Sequence, residues 1–261
     1  MNEPEPAPEP APAPTPRSEV AAVVERYARR TEPGRYAMTQ PDVWMTVQER
    51  QRQMLRLFRR LGWADLSQRS VVEVGCGAGD NLLELLRMGF APQHLTGIEL
   101  LPERYALARQ RLPAAVTLIE GDASLAVLPA AQAAQADIVL QSTVFSSLLD
   151  TGFQQQLADV MWRWVRPGGG VLWYDLARDN PLNRDVRGVP ARRIAALFPQ
   201  GRPVLQRVTL APPLARRLCR VHPGLYNVFN LIPVLRTHLL AWVGKPLLAP
   251  QRGSSTELPT P

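Results

Sequence analysis

Between Val71 and Leu176 short apolar runs alternate with segments of helical spacing, and no other feature constrains the chain as much. "SVVEVG" predicts a strand, "GDNLLELLRMG" a helix closed by Gly89, "HLTGIEL" a strand and "LPERYALARQRL" a helix. "AVTLIEGD" and "ADIVLQST" predict a third and a fourth strand. "GFQQQLADVMWRWV" predicts a helix stopped at "RPGGG", and "GVLWYDL" a fifth strand. Strands separated by helices of this length pair in parallel and carry the helices on both faces. The expected fold is therefore α/β, a doubly wound, mostly parallel sheet. A helix near "ARRIAALFP", a strand "PVLQRVTL" and a last strand around "THLLAWVGKP" extend the series. Two helices precede it. One is "SEVAAVVERYARR", with Val20, Val23, Val24 and Tyr27 in helical spacing. The other runs from about Pro41 to Leu61, with Trp44, Val47, Met54, Leu55 and Phe58 on one face.

In such a sheet ligands sit at the carboxyl ends of the strands, where strand order reverses. "VVEVGCGAGD" stands at the first of these ends, with Gly75, Gly77 and Gly79 between the strand and its helix. A phosphate loop of the GxxxxGK[ST] type is excluded, because no lysine or hydroxyl follows. A dinucleotide fingerprint GxGxxG needs a third glycine where Asp80 stands and fits poorly. S-adenosylmethionine has a ribose and an adenine but no phosphate. An acid at the helix start repels a pyrophosphate but not a sulfonium, so Asp80 favours this third ligand. Glu99 ends the second strand about 20 residues further on, where an acid accepts from ribose hydroxyls. Asp122 ends the third strand beside the small Ala123, as a carboxylate that accepts from the adenine amino group.

"EVGCGAG", "GIEL", "EGDA", "ADIVLQS" and "VRPGGGVLWYD", in this order and spacing, resemble the class I S-adenosylmethionine-dependent methyltransferases over about Trp44 to Pro246. The resemblance implies a Rossmann-like, seven-stranded sheet whose last strand is antiparallel. It implies S-adenosyl-L-methionine as cofactor, lying across the ends of the first, second and fourth strands. Carried over by position, Glu73, Gly75, Cys76, Gly77 and Gly79 contact the methionine end. Glu99 and Leu100 bind the ribose, Asp122 and Ala123 the adenine, and Gln141 lies under the cofactor. The active-site mouth is expected from the N-terminal helices, the loops after the fourth and fifth strands, and an insertion before the last strand. Tyr36, Trp44, Ser142, Phe145, Arg178, Asn180 and Asn183 are the candidates for substrate contact there, and Tyr174, Asp175 and His238 the candidates for catalysis.

The acceptor is less legible. No Cys/His cluster has metal-ligand spacing, so no metal is expected, and a hydroxyl acceptor then needs a side-chain base. "QSTVFS" stands where methylases of base amino groups carry an "NPPY"-type signature, so a nucleic-acid substrate is not expected. The polar stretch "WYDLARDNPLNRDVRG" suits a sugar or phosphosugar. With the segments that follow it, this stretch resembles a bacterial methyltransferase subgroup associated with polysaccharide assembly. The expected activity is methyl transfer to a hydroxyl of a glycan or other small molecule. The alternatives are a non-catalytic cofactor-binding partner subunit and a nucleic-acid methyltransferase.

Length and composition fit one main domain: 261 residues, 46% of them hydrophobic. The expected boundaries are a Pro/Ala/Glu-rich tail over residues 1–16, a methyltransferase domain over 17–248, and a second loose tail over 249–261. Within the domain, residues 17–66 form a helical cap and 210–236 an insertion. "MNEPEPAPEPAPAPTP" has neither the basic start nor the apolar core of a signal peptide. "LYNVFNLIPVLRTHLLAWV" is interrupted by Pro233, Arg236 and His238 and does not read as a membrane span. Two cysteines, Cys76 and Cys219, offer no disulfide framework, and a reducing cytoplasmic setting is expected. The net charge of +7 is unevenly spread. From Val186 to Thr256 there is no acid, while ten arginines and Lys245 fall there. For Arg216–Leu240 the plainer reading, solvated arginines on a segment packed against the sheet, stands ahead of the alternative, a peripheral contact with an anionic membrane surface at the inner face.

Overall fold

The computed structural model describes residues 18–29, 34–129, 135–180 and 183–247. The tails expected over 1–16 and 249–261, and Arg252, lie outside the described residues. Seven strands form one sheet in the order β3-β2-β1-β4-β5-β7-β6. The strands are β1 (Val71–Val74), β2 (Leu95–Glu99), β3 (Thr117–Glu120), β4 (Ala136–Ser142), β5 (Val165–Leu176), β6 (Arg202–Leu210) and β7 (Arg236–Gly244). The first five pair in parallel; β7 runs antiparallel between β5 and β6. Strand order reverses at β1, which pairs with β2 on one side and β4 on the other. The carboxyl ends of these strands are thus the sheet's natural ligand crevice.

Side chains alternate between two packed faces, as the period of two requires. On one face Val72, Val74, Ile98, Val139, Val171, Trp173 and Val243 meet α5 (Thr151–Trp164) and α6 (Ala191–Leu197). On the other, Val71, Leu95, Ile138, Leu140, Leu172, Tyr174, Val208 and Leu240 meet α2 (Pro41–Arg60), α3 (Asp80–Met88) and α4 (Pro102–Arg111). Local chemistry fixes the helix ends. Asp150 caps α5 by accepting from the Phe153 N–H at 2.7 Å, Pro41 and Pro102 open α2 and α4, and Gly89 closes α3 in the left-handed region.

Two expectations are corrected. β5 begins at Val165, not after the glycines of "RPGGG". Val165 pairs with Ala136, and the ladder then shifts to Ile138–Gly170, with Arg166 reaching Asp137 in between. Gly169 makes this possible, because a side chain there would lie 2.7 Å from the Asp137 carbonyl. On α2, Trp44 and Leu55 are exposed, and the buried stripe is Met45, Glu49, Met54 and Phe58. The expected insertion between β6 and β7 holds two further helices, α7 (Pro212–Val221) and α8 (Gly224–Phe229). Ala215, Cys219 and Tyr226 of this insertion pack on Met45 of α2 and on Leu210.

Candidate functional site

The loop after β1 turns through three left-handed glycines, Gly75, Gly77 and Gly79, with φ of 65, 58 and 83°. Its Cys76 N–H donates to the Ile98 carbonyl at 3.0 Å, which ties the loop to the end of β2. At Gly75 a Cβ would stand 2.7 Å from Val144 Cγ2, so conformation and space both demand glycine. Cys76 is buried, and its Sγ would lie 2.7 Å from a Cβ on Gly97; burial pushes the thiol well above its ordinary pKa, as for a packing residue.

The acids surround this loop. Glu73 is fully buried; its Oε1 accepts from Asn81 Nδ2 at 2.5 Å, while Oε2 has no partner among the described residues. Burial pushes its pKa up to about 8, against the opposing pull of Asn81 and Arg50. Glu99 accepts from the backbone N–H of Gly77 at 2.7 Å and of Leu101 at 3.0 Å. Asp122 accepts from the Ser124 N–H at 2.8 Å and its hydroxyl at 2.9 Å, with Ala123 between them. Gln141, buried at the end of β4, accepts at Oε1 from the Val144 N–H at 3.1 Å; its Nε2 has no partner among the described residues. Leu100 and Ala123 are partly buried beside this edge.

The first helix, α1 (Glu19–Ala28), lies across the strand ends. Arg26 donates to the Ser147 carbonyl at 3.0 Å, and Glu19 accepts from the Leu149 N–H at 2.6 Å. Tyr27 stacks under the Arg104 guanidinium at 5.0 Å, and that guanidinium lies 3.8 Å from the position of a Cβ on Gly77. The glycine loop is therefore covered from above by α1 and Arg104.

Behind the loop, on the α2 face of the sheet, a small cavity is lined by Arg50, Met54, Asn81, Leu140, Ser142, Leu172, Tyr174 and Leu240. The Arg50 guanidinium bonds both Glu84 oxygens at 3.0 and 3.2 Å and stands 5.1 Å from the Tyr174 ring. The Tyr174 hydroxyl shares a 2.8 Å hydrogen bond with the Thr209 hydroxyl. Thr209 has a left-handed φ of 64° and directs its N–H to the Glu49 carboxylate at 3.1 and 3.2 Å. The Tyr226 hydroxyl donates to the same carboxylate at 2.7 Å. His238 stacks on Tyr174 at 5.1 Å, and its Nδ1 pairs with the Thr237 hydroxyl at 3.0 Å. Burial, with the Arg50 charge adding to it, pushes His238 down to about 4, so the ring is neutral at neutral pH.

The remaining candidates divide. Ser142, Tyr174 and the cavity belong together, with His238 stacked on the tyrosine. Tyr36 is 79% and Trp44 42% exposed, and Arg178, Asn180 and Asn183 are exposed beyond the end of β5. Phe145 does not reach a surface: it is fully buried with its ring 4.6 Å from Trp173, so it is core and not part of a mouth. Asp175 lies on the opposite face from Tyr174, as alternation along β5 requires. It is fully buried and accepts from the N–H groups of Ser146 at 3.0 Å and Leu176 at 2.8 Å. Burial pushes it up to about 6, yet it holds the loop after β4 and does not face the cavity. Glu49, Arg50, Asn81, Glu84, Thr209 and Tyr226 were not singled out by sequence. The available signal was the pair Glu49 and Arg50 amid the apolar Met45, Met54 and Phe58 of α2.

Comparison with known proteins agrees with this geometry. Residues 71–169 match the family model described as "Methyltransferase domain", from the glycine-loop strand to the first residues of β5. A search of curated proteins found no match. Among solved structures, a SAM-dependent methyltransferase from Archaeoglobus fulgidus superposes with a TM-score of 0.52 at 14% identity, over 75% of this chain and 94% of that one. A Haemonchus contortus phosphoethanolamine N-methyltransferase 2 in complex with S-adenosyl-L-methionine gives 0.54 at 16% identity, over 75% of this chain and 52% of that one. Geranyl diphosphate C-methyltransferase from Streptomyces coelicolor gives 0.53 at 13% identity, over 73% and 76%. Identities this low speak for the fold alone; the family match covers the strands and the glycine loop that carry the cofactor chemistry. The chain thus carries a methyltransferase domain over residues 71–169, in a sheet that has the fold of S-adenosylmethionine-dependent methyltransferases.

Proposed function

We propose that this methyltransferase acts on a hydroxyl of a glycan or other small molecule, received at the carboxyl ends of β1, β4 and β5, in front of the small cavity between α2, β5 and β7. The observation that carries the reading is the set of orphaned polar atoms at the strand ends, with a small, mostly apolar cavity directly behind them. The donor set fits S-adenosylmethionine. Glu73 Oε2 and Gln141 Nε2 are buried without partners among the described residues at the ends of adjacent strands, and such atoms are costly unless a ligand satisfies them. In this reading Glu73, Gly75, Cys76, Gly77 and Gly79 hold the methionine end, Glu99 and Leu100 the ribose, Asp122 and Ala123 the adenine, and Gln141 lies beneath. The bound cofactor supplies an electrophilic methyl group on a sulfonium.

The chain's own part is mainly orientation, worth up to about 7–11 kcal/mol in well-aligned reactions. Leu140, Leu172 and Leu240 give the cavity a dry floor, and Asn81, Ser142 and Tyr174 give it polar walls. Arg50 arrives already paired with Glu84, so it offers donors without an uncompensated charge. His238, neutral and stacked on Tyr174 with its Nδ1 at the Thr237 hydroxyl, is the candidate base in this reading. Two of the structural neighbours are named for phosphoethanolamine and geranyl diphosphate, both small acceptors. In this reading α1 caps the strand ends through Arg26 and Glu19, and the insertion after β6 packs on Met45 of α2.

The test is transfer of tritiated methyl from S-adenosylmethionine into fractionated cell extract by the full chain. Label is expected in a polysaccharide or small-molecule fraction and should resist mild alkali, as a methyl ether does. Label in protein or RNA would overturn the assignment. A second expectation concerns Glu99. Glu99→Ala removes a charged acceptor, and hydrogen bonds to charged groups contribute about 1.5–3 kcal/mol. Affinity for S-adenosylhomocysteine should fall about tenfold or more. An unchanged dissociation constant would contradict the ribose assignment.

A further inference from the structure

Four basic residues of the acid-free third are used internally. Arg187 donates to the Leu149 carbonyl at 2.7 Å, Arg193 to Gln154 at 3.0 Å, Arg236 to the Asn230 carbonyl at 2.7 Å, and Lys245 to the Val165 carbonyl at 2.7 Å. Arg216, Arg217 and Arg220 make no hydrogen bond or ion pair among the described residues, and they share one face of α7. With Pro213 they follow the i, i+3, i+4, i+7 spacing of a single helical stripe and border one surface concavity. The opposite stripe of α7, Ala215 and Cys219, is buried against Met45, Leu210 and Tyr226, which fixes the arginines outward. The same insertion also leaves aliphatic side chains in water: Val221 is 79% exposed, Val228 59%, Leu231 75%, Ile232 45% and Val234 65%. Exposed aliphatics and unpaired cations within one short insertion are unusual on a surface that meets only solvent.

We infer that this insertion docks on an anionic lipid bilayer, with Arg216, Arg217 and Arg220 on the headgroup phosphates and Leu231, Ile232 and Val234 in the acyl boundary. A nucleic acid or an acidic protein would use the arginines but gives the aliphatics nothing; a bilayer surface uses both. The attachment is peripheral, since no helix among the described residues is long and apolar enough to cross a membrane. Docking does not depend on which acceptor is methylated. The underside of the docking segment, through Tyr226, bonds Glu49, which bonds Thr209, which bonds Tyr174 in the cavity wall. The docking segment is thus tied to the cavity wall through buried hydrogen bonds.

The experiment is flotation of the full chain with phosphatidylglycerol-containing and pure phosphatidylcholine vesicles at low and high salt. Binding is expected to the anionic vesicles only. It should weaken steeply as the Debye length shrinks from about 10 Å at about 0.1 M salt to about 3 Å at about 1 M. Replacing Arg216, Arg217 and Arg220 with glutamine should weaken binding about a hundredfold. The double variant Leu231→Ser, Val234→Ser should weaken it at every salt concentration. Both variants should keep the wild-type melting temperature and cofactor affinity, because none of these side chains is buried. Equal binding to both vesicle types, or binding to neither, would overturn the inference. So would binding indifferent to Leu231 and Val234, and a single-stranded RNA that competes off all vesicle binding would point to nucleic acid instead.

Discussion

Gly75→Val should abolish binding of S-adenosylmethionine, and Gly77→Ala should weaken it at least tenfold while the fold survives. At Gly75 the backbone is left-handed, with φ of 65°, and a Cβ would lie 2.7 Å from Val144 Cγ2. A branched side chain there costs about 1–2 kcal/mol in conformation alone, before any overlap with Val144. The loop must shift, and the shift reaches Gly77 N, which holds the Glu99 carboxylate at 2.7 Å. A variant so disruptive could lose binding merely by unfolding, and Gly77→Ala separates the two causes. There a Cβ meets nothing nearer than the Arg104 guanidinium at 3.8 Å, so the protein tolerates the methyl group apart from the φ of 58°. A penalty of about 1 kcal/mol lowers the melting temperature by about 2–4 °C in a chain of this size. Weaker binding beyond that reports backbone occupied by the cofactor. Thermal melts and calorimetric titration measure both, and wild-type affinity in Gly77→Ala would exclude close approach at this loop.

Glu73→Gln should stabilise the protein and impair it at once. The carboxyl is fully buried, and its folded pKa is about 8, against an ordinary value near 4.5, because burial disfavours the charged form. For an acid whose folded pKa is raised, stability is fully present below the unfolded pKa. It is lost as pH rises from there through the folded pKa. The wild-type protein should therefore lose stability between about pH 4.5 and pH 8 on account of this residue, at about 1.4 kcal/mol for each pH unit crossed. Glutamine cannot ionise and keeps the Asn81 hydrogen bond, so the variant should match wild type near pH 5 and melt higher near pH 8.5. Its affinity for S-adenosylmethionine should nonetheless fall about tenfold to a hundredfold, because the cofactor's ammonium favours the ionised carboxylate and glutamine cannot supply that charge. A variant that melts lower at pH 8.5, or that binds as tightly as wild type, would contradict the role given to Glu73.

The parts of this protein that sequence reveals are those set by period and by backbone. The short apolar runs at Val71–Val74 and Ile138–Leu140, and the helix stop at Gly89, are local properties, and the strands and helix they predict are present. The seven-stranded sheet with its antiparallel β7 follows the resemblance. The start of β5 was not legible, because "RPGGG" reads as a helix stop, whereas the Val165–Ala136 pair and the space beside the Asp137 carbonyl draw it into the ladder. The cavity was legible only in part. Tyr174 and Asp175 are adjacent in sequence and look equivalent, but the pleat sends them to opposite faces, and only Tyr174 lines the cavity. Glu49 comes into register with Thr209 and Tyr226 only through the packing of α2 on β6 and on the insertion, contacts separated by more than a hundred residues. No local pattern encodes such an encounter.

The central claim is that the loop after β1 binds S-adenosylmethionine. The direct measurement is isothermal titration of S-adenosylmethionine, and separately of S-adenosylhomocysteine, into the full chain. One site per chain is predicted for each ligand, weakened by Glu99→Ala and Glu73→Gln and absent in Gly75→Val. No heat and no thermal stabilisation with either ligand at millimolar concentration would contradict the claim.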